Sequence, residues 1–143
     1  MSEADDHAVP ARHGQPVEFR VPAQLESLAV IRALVTALGT LEDLDLDAVA
    51  DLRLALDEAC TALIRNATPK SSVTVTVRPR QDDLWISVSA PCLDDNVLRP
   101  GTFSWHVISS LAEDVETFRD GAEVERGRVF GITMTARRLD TGR

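Results

Sequence analysis

Two adjacent carboxylates, Asp57 and Glu58, stand inside an otherwise apolar stretch, DLRLALDEACTALIRNA, residues 51–67. A carboxylate in such a run costs desolvation energy unless it is paired or lines a cleft. Glu58 has Arg53, Arg65 and Asn66 within reach along the chain, and pairing with one of them would make it a structural helix carboxylate. His106 with Cys92 or Ser104 would form a nucleophile pair, but the chain carries no oxyanion motif and no nucleophile elbow, so this chemistry is set aside. His7 and His13 form no ligand cluster with an acidic residue at fixed spacing. Cys60 and Cys92 match neither a metal-site spacing nor a disulfide framework. They read as two reduced thiols, Cys60 in the core, with a redox switch between them as the alternative.

The elements that must position these residues follow from periodicity. Val49, Leu52, Leu56, Ala59 and Leu63 recur at three- and four-residue steps and share one helical face, which Leu54, Ala55 and Ala62 widen. The helix is therefore expected to be largely buried, with Asp45 or Asp47 as N-cap and Thr68-Pro69 as its stop. Leu25, Leu28, Ile31, Leu34 and Leu38 predict an earlier helix closed by Gly39, and residues 103–114 a third, capped by Thr102. Val17, Phe19 and Val21 alternate with polar residues, as do Val73, Val75 and Val77, and Leu84, Ile86, Val88 and Ala90. Residues 115–119 predict a short strand turned by Asp120-Gly121, and 129–138 the last long strand. Phe103, Trp105, Val107 and Ile108 read as core. Arg126, Arg128, Arg137 and Arg138 read as a solvated edge.

Strands apolar on one face and hydroxylated or charged on the other need helices on one side only. The order β-α-α-β-β-α-β-β predicts an α/β fold, a two-layer sandwich with a mixed, mainly antiparallel sheet covered on one face by three helices. Residues 16–140 are expected to form the single domain, and residues 1–15 a disordered tail. The formal charge of −8 disfavours direct binding of DNA or RNA, and suits a basic protein partner. No run is long enough to span a membrane and the start lacks a signal-peptide pattern, which places the protein in the cytoplasm.

LALDEACT, residues 54–61, resembles the N-box helix of the GHKL ATPases, specifically the RsbW/SpoIIAB-type anti-sigma factors, with the nearest likeness to the actinobacterial, mycobacterial type. Val21-Pro22-Ala23, Glu26 and Ile31-Arg32 resemble the first strand and helix of that family, and Leu111-Ala112-Glu113-Asp114-Val115 the end of its third helix. The resemblance implies the histidine-kinase-like ATPase fold. It implies binding of an alternative sigma factor of the stress or sporulation type, antagonism by an anti-anti-sigma protein, and a homodimer. It also implies ATP and magnesium as cofactors of a serine kinase acting on that antagonist. By resemblance Glu58 is the general base, Gly101 and Ser104 belong to the phosphate box, and Arg32 contacts both protein partners; without it, Arg32 reads as a solvated helix edge.

The nucleotide motifs depart from the family pattern. The family's Mg²⁺-holding asparagine, four residues after the glutamate, is Ala62 here. The adenine-reading Asp-x-Gly-x-Gly is replaced by Ala90-Pro91-Cys92-Leu93-Asp94, and Asp94 and Asp95 lie beyond it. Of the second glycine box only Gly101 survives in Gly101-Thr102-Phe103-Ser104-Trp105-His106, where Phe103 and Trp105 would crowd a triphosphate. No metal-ligand set is expected. Two functions follow: an anti-sigma factor with a degraded ATP site, or an active serine kinase of the same fold.

Overall fold

In the computed structural model, which describes residues 15–94, 97–124 and 127–138, the alternating segments form five strands. These are β1 (Val17–Pro22), β2 (Ser72–Pro79), β3 (Asp83–Cys92), β4 (Glu113–Val124) and β5 (Gly127–Arg137). The periodic segments form three helices, α1 (Leu28–Leu41), α2 (Leu46–Asn66) and α3 (Phe103–Leu111), and a short 3-10 turn at Leu25–Ser27 leads into α1. The sheet order is β1-β2-β3-β5-β4. Its four pairings are all antiparallel, so the parallel component that the word "mixed" allowed is not among them. The expected disordered tail falls almost wholly on residues 1–14, outside the described residues.

Val73, Val75, Val77, Ile86, Val88, Ile132 and Met134 are buried at no more than 2% exposure, and all lie on the face that the helices cover. Opposite them runs a ladder of half-buried hydroxyls, Thr74 beside Ser89 and Thr76 beside Ser87, with Thr133 next to Ser87. The Arg78 guanidinium stands 5.7 Å from the Trp85 ring centroid on that open face. Also there, the Phe118 ring lies across Gly131, where a Cβ would come within 2.7 Å of the Val88 carbonyl oxygen. A strand glycine here marks close approach of an aromatic ring.

The helix stops differ from those expected, and for physical reasons. α1 runs through Gly39 to Leu41. A Cβ on Gly39 would meet Val49 Cγ2 at 3.2 Å and Leu44 Cδ1 at 3.3 Å, so the glycine is a contact between α1 and the start of α2 rather than a cap. α3 ends at Leu111, three residues before the expected Asp114. Asp114 takes a positive φ of 51°, a conformation aspartate tolerates, and Thr135 Oγ1 donates to its Oδ2 at 3.2 Å across a register shift between Glu113 and Glu116. Asp120-Gly121 does not turn the chain: β4 continues to Val124, and the pair falls in a second register shift between Arg119 and Glu123, as a bulge does. The expected caps are in place at two helices. Asp45 Oδ1 accepts from the Ala48 amide at 2.7 Å, and Thr102 Oγ1 from the Trp105 amide at 3.2 Å.

Of the expected solvated edge, Arg137 is exposed at 69% and Arg138 is not. Arg137 Nη2 donates to Glu113 Oε1 at 3.0 Å. Arg138 is 10% exposed and Glu42 5%, and they pair at 3.2 Å, while Arg138 Nε donates to the Arg80 carbonyl at 2.9 Å. The side chain thereby ties the end of β5 to the residue after α1 and to the β2–β3 hairpin. Arg128 is exposed, and Arg126 lies outside the described residues.

Both cysteines are buried in the core beneath α2 and β3. Burial, reinforced by the charge of Asp57, pushes the Cys60 thiol up to about 12; burial and then Asp94 push Cys92 up to about 11. The chain has no tyrosine and a single lysine, Lys70, so few other groups titrate in the alkaline range. Below the ordinary thiol value of 9.0 both states hold their protons and stability is full. Above it the unfolded chain binds fewer protons, so stability falls as pH rises towards the folded values. The urea midpoint is expected to drop progressively above about pH 9, and Cys60→Ala to flatten that slope. An equal slope in the variant would show that the core thiol is not responsible.

Candidate functional site

α2 is the middle helix and packs against α1, α3 and the sheet. Ala55, Leu56, Ala59 and Cys60 are no more than 2% exposed, so the helix offers few positions from which a charge can escape. Asp57 and Glu58 remain half-buried and resolve their charge in different ways. Arg32 on α1 donates from Nε to both oxygens of Asp57, at 2.8 and 2.9 Å. The Arg32 and Asp57 side chains are 41% and 29% exposed. Ser104, in the first turn of α3, donates from Oγ to Glu58 Oε2 at 2.6 Å. A hydrogen bond to an ionised carboxylate is among the stronger ones.

The structure thus brings Glu58 and Ser104 together across 46 residues and places Arg32 beside neither. Glu58 does not pair with Arg53, Arg65 or Asn66; Asn66 Nδ2 donates to the Ala62 carbonyl instead, at 2.9 Å. Gly101 sits in the turn before α3 with φ of 96° and open space around it, so its retention serves a left-handed backbone turn. Arg32 lines an open groove along α1 with Ala29, Ala33, Thr36, Ala37 and Arg53. Leu41, which also lines it, is 57% exposed, and Val30 and Leu34 on α1 and Leu54 on α2 are exposed from 38% to 55%. The groove therefore carries two arginines, Arg32 on α1 and Arg53 on α2, among small and apolar side chains.

Two features were not readable in advance. Asp57 was marked only by its apolar setting, and nothing in the local pattern assigns it Arg32, 25 residues earlier. Phe103 is 79% exposed rather than core, while Trp105 packs against the core and Ile108 is fully buried. The first position of a helix faces outward unless the preceding loop folds over it, and that is not visible as periodicity.

The residues present do not fit Mg·ATP. Ala62 offers a methyl where a ligand oxygen is needed, and Glu58 already accepts from Ser104. At the end of β3, Ala90 and Cys92 are buried at 2% and 4% exposure, and the Cys92 thiol is directed to the Ala90 carbonyl at 3.5 Å. Among the described residues no group of three or more His, Cys, Asp or Glu side chains could hold a metal ion. Phe103 occupies the opening position of α3, where phosphate oxygens would need backbone amides without bulk.

Residues 21–127 match the family described as the histidine kinase-like ATPase domain. The anti-sigma-F factor RsbW of Mycobacterium tuberculosis, in two strains, is 55% identical over 128 residues, spanning 89% of this chain and 76% of that protein. No helix among the described residues is long and apolar enough to cross a membrane.

The Glu58–Ser104 bond sets up a double-mutant cycle. Ser104→Ala and Glu58→Gln are expected each to destabilise the fold, with a coupling of about 1 kcal/mol, since a hydrogen bond to a charged group contributes more than a neutral one but is partly solvated here. Additive losses in urea denaturation would show that the two side chains do not support one another.

Proposed function

Because this chain belongs to the histidine kinase-like ATPase domain family and, within it, to the RsbW anti-sigma factors, we propose that it binds and sequesters an alternative RNA polymerase sigma factor and is released by an anti-anti-sigma protein. The observation that carries this reading is the 55% identity with an anti-sigma-F factor along 89% of the chain. Sequestration needs a surface rather than a reaction, and the α1 groove with Arg32 and Arg53 supplies one suited to carboxylates. The protein is proposed to work in the cytoplasm as a homodimer, and to contact neither nucleic acid nor membrane. Its net charge of −8 accords with a protein partner rather than a phosphate backbone.

Phosphoryl transfer depends on positioned metal and phosphate more than on a base. With Ala62 and Phe103 at the positions that would provide these, Glu58 is proposed to carry no phosphoryl transfer. Calorimetric titration with Mg·ATP is expected to give no saturable heat at micromolar protein. Micromolar affinity, joined to Glu58-dependent phosphorylation of a protein serine, would restore the kinase reading.

Arg32 is proposed as the partner contact. Sigma-F of Mycobacterium tuberculosis is the natural probe, given the relative's description. Arg32→Ala is expected to weaken that complex by roughly 2–5 kcal/mol, as for truncation of one member of a desolvated charge pair, with an unchanged circular dichroism spectrum. Undiminished affinity in the folded variant would move the grip to another surface.

A further inference from the structure

The carboxylate that holds Arg32 is itself unassigned. Asp57 takes only the Nε of the guanidinium, with both of its oxygens, at 2.8 and 2.9 Å. Arg32 makes no hydrogen bond through either Nη group among the described residues. The end of the guanidinium formed by Nη1 and Nη2 is the edge that takes a second carboxylate in a two-bond fork. Arg32 lines the α1 groove, and Asp57 is not among the residues lining it.

We propose that Asp57 is a positioning residue for partner recognition: it grips Arg32 from behind and presents the free end of the guanidinium to an acidic side chain of a segment bound along α1. This rests on the sigma-factor reading above. A free arginine on a helix surface loses rotamer freedom when a partner captures it. Asp57 removes part of that freedom before the partner arrives. Its negative charge also offsets that of the arginine, which weakens long-range attraction. Two observations make ordering the larger effect. Asp57 is not among the residues that line the groove, and Arg53 lines it beside Arg32 and keeps it cationic. The carboxylate therefore orders its arginine without facing the incoming one.

The adjacent Glu58 does not share this role, because its contact is Ser104 on α3. Neighbouring positions on α2 thus serve two surfaces. The proposal predicts that Asp57 acts through Arg32 alone, which separates it from a general contribution to folding.

The experiment measures sigma-F of Mycobacterium tuberculosis against four proteins: wild type, Asp57→Ala, Arg32→Ala and the double variant. Asp57→Ala is expected to weaken binding roughly three- to tenfold, the worth of one pre-ordered side chain, and to have no further effect once Arg32 is alanine. The Arg32 Nε–H resonance, protected in the wild type, is expected to lose its protection from exchange in Asp57→Ala. Asp57→Asn, which keeps the shape and one acceptor, serves in the same cycle if the alanine variant fails to fold. Tighter binding by Asp57→Ala would overturn the proposal and make Asp57 a competitor for the arginine. An equal loss in the Arg32→Ala background would overturn it in favour of a structural role, and unchanged affinity would also overturn it. If wild type does not bind sigma-F, the sigma-F reading fails and the proposal falls with it.

Discussion

The central helix must be buried and charged in the same turn, and the arrangement around it follows from that constraint. α2 presents Ala55, Leu56, Ala59 and Cys60 to its surroundings with almost no exposure, yet Asp57 and Glu58 interrupt them. A carboxylate left without a partner there would cost more than the packing of one side chain returns. Each is satisfied by a different helix, Asp57 by Arg32 on α1 and Glu58 by Ser104 on α3. The two outer helices are thus fixed to the middle one by polar contacts as well as by packing. Those contacts choose a rotation about the helix axis, which apolar packing by itself specifies less sharply.

A second polar tie works at the opposite margin. Glu42 and Arg138 are more deeply buried than Asp57 and Arg32, and the arginine also serves the Arg80 and Glu42 carbonyls. Buried ion pairs cost desolvation energy, and they hold only when further hydrogen bonds complete them. Arg138 meets that condition through backbone oxygens on two separate elements. It fixes where α1 ends relative to the sheet, and hence where the groove carrying Arg32 begins.

Much of the architecture was legible because it is periodic. Alternation in Val73–Val77 and in Leu84–Ala90 placed two strands and the face each buries, and Asp45 and Thr102 announced two helix starts by the hydrogen bonds they accept. The errors came where a local signal has more than one tertiary use. Gly39 reads as a stop but is a close contact, and Asp120-Gly121 reads as a turn but falls in a bulge. The site was legible as residues and not as geometry. Glu58, Ser104 and Arg32 could be named, yet their partners lie 46 and 25 residues away, and no short-range pattern encodes such a distance. The departures from the family's nucleotide motifs at Ala62 and Phe103 were legible as residue types alone.

The strand order has a bearing on how the molecule is made. β5 is the latest of the described strands to be synthesised, and it lies inside the sheet, with β3 on one side and β4 on the other. β4 pairs with β5 and with no other described strand. As the chain leaves the ribosome, β1, β2 and β3 can assemble as a three-stranded sheet beneath α1 and α2, but β3 keeps an open edge until β5 arrives. β4 and β5 then dock together as a hairpin, and the Glu42–Arg138 pair closes after them. An exposed edge on a partly built sheet invites pairing with other chains. The nascent protein is most vulnerable to aggregation in the interval between the appearance of β3 and that of β5, and a chaperone would have its greatest effect there.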